Sequence, residues 1–346
     1  MQRYVIDPLR DPRWNDLAAS HARASVFHQL GWLKALARTY GYRTLAVTSA
    51  APGERLSDGV VFCEVKSWIT GSRLVSLPFT DHADPLLNDR DEGPAIAHWM
   101  RAESRKHHWR YVEIRPRSEA IRPSWAMAES QSFWLHTLDL APAAETIFRR
   151  LHRSCIQRRI RHAERQKLFY DRGCGDVLLD EFYRLLMITR RRFRLLPQPR
   201  IWFKNLIECM HPNVEIRVAR KDGKAIAAIL TLRHRGTVVY KFGCSDHAYH
   251  RLAAMPFLFW RMIEESKSEN CEEIDFGRTD ADNQGLVSFK DRFGTARRSL
   301  NYFRYAEEER EKVVSQSISA SSKLLFSALP DALSSRAGGL VYRHIG

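Results

Sequence analysis

Apolar and polar positions follow one order twice along the chain. DGVVFCEVKSW from Asp58 and GSRLVSLPF from Gly71 are β-rich runs joined by a short turn. A helical stretch follows over 93–107 (GPAIAHWMRAESRKH), and then the strand WRYVEIRP. Downstream the order returns as DGKAIAAILTLRH from Asp222, GTVVYKFGC from Gly236, a helix over 256–268 (PFLFWRMIEESKS) and the strand CEEIDFGR. Gly59 and Gly223 are 164 residues apart, Gly71 and Gly236 are 165, and Glu113 and Asp275 are 162. A near-constant, domain-sized offset predicts two tandem copies of one hairpin–helix–strand module.

Between the copies the pattern turns helical and basic. IFRRLHRSCIQRRIRHAERQK sets Phe148, Leu151, Cys155, Ile160 and Ala163 at three- to five-residue steps, which predicts an amphipathic helix with a cationic outer face. A second helix over roughly 177–195 ends in ITRRRFR, with Arg190, Arg191, Arg192 and Arg194 near the negative end of its dipole.

Composition narrows the class. With 346 residues, 44% hydrophobic and 27% charged, the chain is neither disordered nor fibrous. Its longest apolar stretches, 225–232 and 252–260, fall well short of the ~18–20 residues that span a bilayer. No apolar h-region marks a signal peptide, so a cytoplasmic protein is expected. Cysteines at 63, 155, 174, 209, 244 and 271 form no C-x-x-C pair, which argues against a disulfide scaffold and a zinc motif. The formal charge is +15, and residues 141–235 alone hold 22 Lys and Arg against 9 Asp and Glu. That excess points to an anionic partner, while the lack of any nucleic-acid motif argues against sequence-specific binding.

GCSDHAYHRLAAMPFLFWRMIEES followed by EEIDFGRTDADNQGLVSFKDRFGT resembles the C-terminal part of FemAB-like proteins, members of the GNAT-type acyltransferases. The matching pieces are Gly243-Cys244-Ser245-Asp246, Asp275-Phe276-Gly277-Arg278, Phe289-Lys290 and Phe293-Gly294. FHQLGWLKA (27–35), SLPFTDHADPLL (76–87), RRIRHAERQKL and FYRLLMITRRRF extend the resemblance over about 25–305. It implies an α/β (α+β) fold of tandem GNAT-like domains, each a mixed sheet flanked by helices. The division expected is 1–140, a degenerate structural or acceptor-binding domain; 141–305, the catalytic domain; and 306–346, a helical tail.

The implied reaction moves an acyl or aminoacyl group to an amine of a cell-envelope glycan precursor, in peptidoglycan or exopolysaccharide. The donor is aminoacyl-tRNA or acyl-CoA, the acceptor a phosphorylated glycan or a lipid-linked one, and peripheral contact with the inner membrane face fits both. Two alternatives stay open: a CoA-dependent N-acetyltransferase of exopolysaccharide amino sugars, and a non-enzymatic basic scaffold binding RNA or membrane. The sequence departs from the family in two ways. The long coiled-coil arm of the larger Fem enzymes is missing. The acetyl-CoA loop Gln/Arg-x-x-Gly-x-Gly/Ala is replaced by Arg251-Leu252-Ala253-Ala254-Met255-Pro256, although glycine there lets backbone N–H groups approach a pyrophosphate.

Acyl transfer needs charge stabilisation at the carbonyl and a route for the amine proton. With the resemblance, Lys290 beside Phe289 is the candidate for the first, and Asp275, ending an apolar strand, for the second. Arg278 after Gly277 suits phosphate. Tyr240, Ser245 and Asp246 on the preceding strand and at its end, with Gly277 and Phe289, are candidate substrate contacts, and Arg251 is the candidate cofactor contact. Asp246, His247 and His250 lack a further ligand at a recognisable spacing, so no metal is expected. Ser154 and Cys155 lack an obvious base. The loop Pro78–Pro85 reads either as an acceptor wall or as ordinary turns. In the tail, Leu324, Leu325, Phe326, Leu329 and Leu333 form an apolar face expected to dock within the protein.

Overall fold

VVFCEV (Val60–Val65, β3) is buried at all six positions. An apolar run of this kind, without alternation, marks a strand covered on both faces. The computed structural model describes residues 2–88, 92–117, 125, 127–306 and 331–346, with side chains of the last helix from 337 onward.

The chain divides into two units. The described residues of the first lie within 2–132, 300–306 and 336–346; those of the second are 133–299 and 331–335. The expected boundary at 140 therefore moves to 132, inside the strand Ala128–Asp139 (β6). The expected boundary at 305 moves to 299, inside Ala296–Tyr305 (β12). The reason is strand exchange. β6 follows the first module in sequence, but its residues Phe133–Asp139 pair with the second, and Phe303–Tyr305 of β12 return to pair with the first.

In the first unit the strands run Tyr4–Ile6 (β1), Arg43–Thr48 (β2), β3, Arg73–Val75 (β4), Val112–Ile114 (β5) and then β12. Every pairing is antiparallel except β4 with β5. Helices Arg13–Ser20 (α1), Leu30–Tyr40 (α2) and Glu92–His107 (α3) belong to this unit, and α3 is the crossover that parallel strands require. Ile96, Ala97 and Met100 of α3 pack on Leu45, Val47, Phe62, Leu74 and Val112. α2 stops at Gly41, whose φ of 70° suits the left-handed residue that ends a helix.

The second unit repeats the plan. Its order is β6, Glu273–Asp280 (β11), Thr237–Ser245 (β10), Lys224–His234 (β9), Val214–Lys221 (β8) and Phe169–Gly173 (β7). Only β10 and β11 are parallel. The repeated hairpin–helix–strand module is thus present in both units with the same strand directions.

The expected continuous helix over 147–167 is broken. Ala144–Arg150 (α4) ends at Leu151, a π-type turn spans Arg153–Gln157, and Arg158–Arg165 (α5) follows. Leu151 and His152 take extended ψ values of 145° and 122°, and the His152 ring accepts the Cys155 N–H. The break lets Ile147, Leu151, Ile156, Ile160 and Ala163 all reach the core, while Phe148 and Cys155 stay half-buried. Asp176–Arg192 (α6) and Arg200–Met210 (α7) are also in the second unit, with Phe182, Phe203 and Phe242 clustered edge to face. On the α5 side, Ala254–Ser268 (α8) buries Leu258, Phe259, Met262 and Ile263, and Pro256 sits in its first turn, where no N–H is missed. Gln284–Asp291 (α9) precedes β12.

Asp331–Ile345 (α10) closes the chain, and its last residues hold to the first unit. Arg73 donates to the carbonyls of His344 and Gly346, and the Tyr42 hydroxyl donates to that of Tyr342. The tail residues Leu324, Leu325, Phe326 and Leu329, and the side chain of Leu333, lie outside the described residues. The Pro78–Pro85 loop packs within the first unit: Phe79 meets Tyr40, Tyr42 and Tyr342, and His82 is buried.

Candidate active site

Strands β10 and β11 run in parallel register only from Thr237↔Glu273 to Val239↔Asp275. Beyond that point both change register on their outer edges, β10 between Tyr240 and Phe242 and β11 between Asp275 and Arg278. A bulge adds local twist and bends its strand. β10 alone continues to Ser245, and a 3₁₀ turn, His247–Leu252, leads into α8.

A cleft of about 600 Å³ opens here. Its walls include Gly243–Asp246 of β10, His250, the start of α8 at Ala254–Pro256, Ser154–Ile156 of the π turn, Thr189 and Arg192 of α6, and Phe289 and Arg292. Arg159, Arg192 and Arg292 line it together with one acid, Asp246. Ala254 and Met255 contribute the first two N–H groups of a 15-residue helix, an arrangement that favours an anion.

Thr189 fixes the end of β10: its hydroxyl accepts the Ser245 N–H at 2.9 Å and donates to the Ser245 carbonyl at 3.2 Å. The Ser245 hydroxyl lies 3.0 Å from His250 Nε2, and Arg192 Nη1 lies 3.3 Å from the same nitrogen. Arg159 donates to the His250 carbonyl at 2.7 Å. Asp246 accepts the Ala248 N–H and starts the 3₁₀ turn. Burial, then the nearby Arg192, His247 and Arg159, holds the His250 imidazole below its usual value against the pull of Asp246. It is therefore neutral near neutral pH, with the Nε2 lone pair facing both the Ser245 hydroxyl and Arg192 Nη1.

The structure separates the residues singled out in the sequence. Ser245, Asp246 and Phe289 line the cleft; Lys290, Asp275, Gly277, Arg278, Tyr240 and Arg251 do not. Lys290 and Asp275 are buried. Lys290 Nζ donates to the carbonyls of Gly277 (2.9 Å) and Arg278 (3.0 Å), and Asp275 Oδ1 accepts the Gly277 N–H at 2.7 Å. Gly277 has a φ of 74°, where a side chain is strained. The two charged groups thus clamp the β11 bulge. Burial, then the Lys290 ammonium, also pushes the nearby His136 down to about 4.

Arg278 stacks over Phe133 at 4.3 Å. The Tyr240 ring packs on Phe259, burial raises its phenol, and its hydroxyl occupies the space where a β-carbon at Gly243 would go. That contact explains the glycine in the Gly243–Asp246 motif. Arg251 is exposed on the 3₁₀ turn. Among the described residues no group of three or more His, Cys, Asp or Glu side chains converges on a metal position.

Sequence reasoning missed Thr189 and Arg192 as neighbours of Ser245, and it considered His250 only as a metal ligand. The five-residue spacing of Ser245 and His250, with a capping Asp246 between them, is the one local signal that joins the pair.

Residues 150–290 match the family described as Acetyltransferase (GNAT) domain. The fold is shared with FemX, at a TM-score of 0.70 and 12% identity, over 91% of this chain and 100% of that one. A tandem GNAT protein from the clavulanic acid biosynthesis pathway matches at 0.56 and 13%, over 88% and 98%. The C-terminal domain of a protein assigned as a lysylphosphatidylglycerol synthetase, from Agrobacterium fabrum, matches at 0.57 and 13%, over 86% and 92%. No curated protein matches the chain in sequence. Over residues 150–290 the chain is therefore similar to GNAT-type acyltransferase domains. Over most of its length the chain shares the fold of FemX and of the tandem GNAT protein.

Proposed function

We propose that the protein transfers an acyl or aminoacyl group from a phosphate-bearing donor to an amine of a cell-envelope glycan precursor. The observation that carries this reading is the cleft, where three arginines and the N-terminus of α8 meet a neutral histidine–serine pair. Acyl-CoA and aminoacyl-tRNA both present phosphates, and Arg159, Arg192, Arg292 and the Ala254 and Met255 amides fit such groups. Alanine and proline in the loop reduce the room for a CoA pyrophosphate, which favours the aminoacyl-tRNA donor. The kinship in fold with FemX and with a lysylphosphatidylglycerol synthetase domain supports an aminoacyl donor and a lipid- or glycan-linked acceptor.

In the reaction the neutral amine attacks the donor carbonyl, a C–N bond forms, and the C–O or C–S bond to the leaving group breaks. One amine proton must depart. His250 Nε2 takes it, directly or through the Ser245 hydroxyl, and returns it to the leaving oxygen or sulfur. Arg192 favours the tautomer that accepts at Nε2, and its guanidinium turns from that nitrogen toward the donor phosphate as the proton arrives. No described helix is long and apolar enough to cross a membrane, and we place the enzyme in the cytoplasm, where both donors are made.

The test presents the purified full chain with acetyl-CoA plus amino sugars, and separately with aminoacyl-tRNA plus envelope precursors. Labelled product from the second mixture is expected. Robust thiol release without tRNA would replace the donor by CoA and favour amino-sugar acetylation in exopolysaccharide. Folded protein inactive with both donors would overturn the assignment.

A further inference from the structure

The turn between β3 and β4 presents large apolar side chains to solvent. Trp68 is 88% exposed and Ile69 57%, and Trp68 is the most exposed large hydrophobic residue among those described. Two well-formed strands hold the turn. The end of α10 braces it from the side: the His344 carbonyl accepts from Thr70, the Ser67 hydroxyl lies 3.1 Å from the His344 ring, and Trp68 meets that ring edge-on at 5.8 Å. Leu340, 67% exposed, stands one helical turn before His344 and so on the same helix face. Trp68 and Ile69 form an apolar tip braced by the end of α10, with Leu340 exposed on the bracing face, all within the first unit.

The charge around the tip is positive. Lys66 and Arg43 have side chains 73% and 65% exposed, and the acid they share, Glu64, is buried. Arg110 donates to the Thr70 carbonyl. Three side chains fall far short of the ~800 Å² per partner that a stable protein interface uses. A Trp and an aliphatic residue at a turn tip, with lysine and arginine behind them, match the headgroup level of a bilayer, where indole rings concentrate.

We propose that this tip seats the first unit on an anionic phospholipid surface, Trp68 and Ile69 entering the headgroup layer while Lys66 and Arg43 meet lipid phosphates. The proposal deepens the reading of an envelope acceptor and rests on it only for its purpose. Lipid binding is measured without donor or acceptor, so failure of either leaves the other standing.

The full chain is sedimented with phosphatidylcholine vesicles and with phosphatidylcholine–phosphatidylglycerol vesicles. Wild type is expected to partition preferentially onto the anionic vesicles. Trp68→Ser with Ile69→Ser weakens that partition about tenfold or more. Leu340→Ser has a smaller effect in the same direction, and Lys66→Gln lowers the anionic preference about fivefold. All four positions are exposed, so unchanged thermal unfolding confirms that each variant is folded. Equal binding by wild type and the Trp68–Ile69 variant overturns the proposal, as does equal binding of wild type to both vesicle types. A changed oligomeric mass in that variant, with vesicle binding unaltered, reassigns the tip to a protein contact and also overturns it.

Discussion

Glu113 and Asp275 hold the same position in the two modules. Each is the final register partner of a valine across a parallel strand pair, Val75 for Glu113 and Val239 for Asp275. Both carboxylates are buried. Glu113 is gripped by Arg115 at 2.7 Å and Arg304 at 2.6 Å, whereas Asp275 turns onto the Gly277 N–H of the bulge that follows it. One position therefore secures the sheet in the first unit and shapes the edge of the cleft-bearing module in the second.

Glu113 gives a stability prediction with a definite sign. Burial pushes its carboxyl up, but Arg115 and Arg304 together hold it below the ordinary 4.5. A carboxylate with a depressed folded pKa adds stability above its unfolded value, and that stability is lost as pH falls through the folded value. Glu113→Gln is expected to lower stability by about 3–5 kcal/mol at pH 7, because two arginines lose a buried partner. The gap to wild type should shrink as pH falls below the ordinary 4.5 and through the lower folded value, where wild type protonates too. Thermal unfolding across pH measures both effects, and a pH-independent gap would refute the account.

Lys290 tests the clamp against direct catalysis. Lys290→Met leaves the Gly277 and Arg278 carbonyls without their buried donor, so a loss of about 2–4 kcal/mol is expected in unfolding. The rate per folded molecule should change far less than the stability. A variant as stable as wild type but inactive would move Lys290 to the reacting atoms.

His250 carries the proton in the proposed reaction. His250→Asn should lower kcat about 10²–10³-fold with the donor KM little changed. In wild type the rate falls as pH drops through a value below the ordinary 6.5, because protonated His250 accepts nothing. Ser245→Ala should cost less, about tenfold, if the hydroxyl only relays the proton. An unshifted pH profile in the His250 variant would exclude it as the base.

Arg192 links donor binding to that profile. Arg192→Gln removes a cation beside the imidazole, so the acid limb should move to higher pH while the donor KM rises about tenfold. Arg159→Gln should raise KM similarly with a smaller shift, since it contacts the His250 carbonyl rather than the ring. Steady-state kinetics across pH at fixed salt separates the two variants.

The sequence alone determined the modules. β-rich runs, helical stretches and a spacing of 162–165 residues can be read along the chain, and they located both hairpins, both crossover helices and both closing strands within a few residues. It also located the charge and brought Ser245, Asp246 and Phe289 to notice. Tertiary structure decided what a local pattern does not encode. Strand exchange through β6 and β12 depends on pairings made far along the chain, and it moved both domain boundaries. The break at Leu151–His152 arose because the core selects Ile147, Ile156 and Ile160, overriding the helical period. Lys290 and Asp275 read as chemistry because a buried charge and a buried catalyst look alike in sequence; only the 2.7–3.0 Å contacts to Gly277 and Arg278 show what they hold. Ser245, Thr189, Arg192 and His250 converge for the complementary reason: α6, β10 and a 3₁₀ turn meet where β10 leaves β11, and that meeting exists only in the folded sheet.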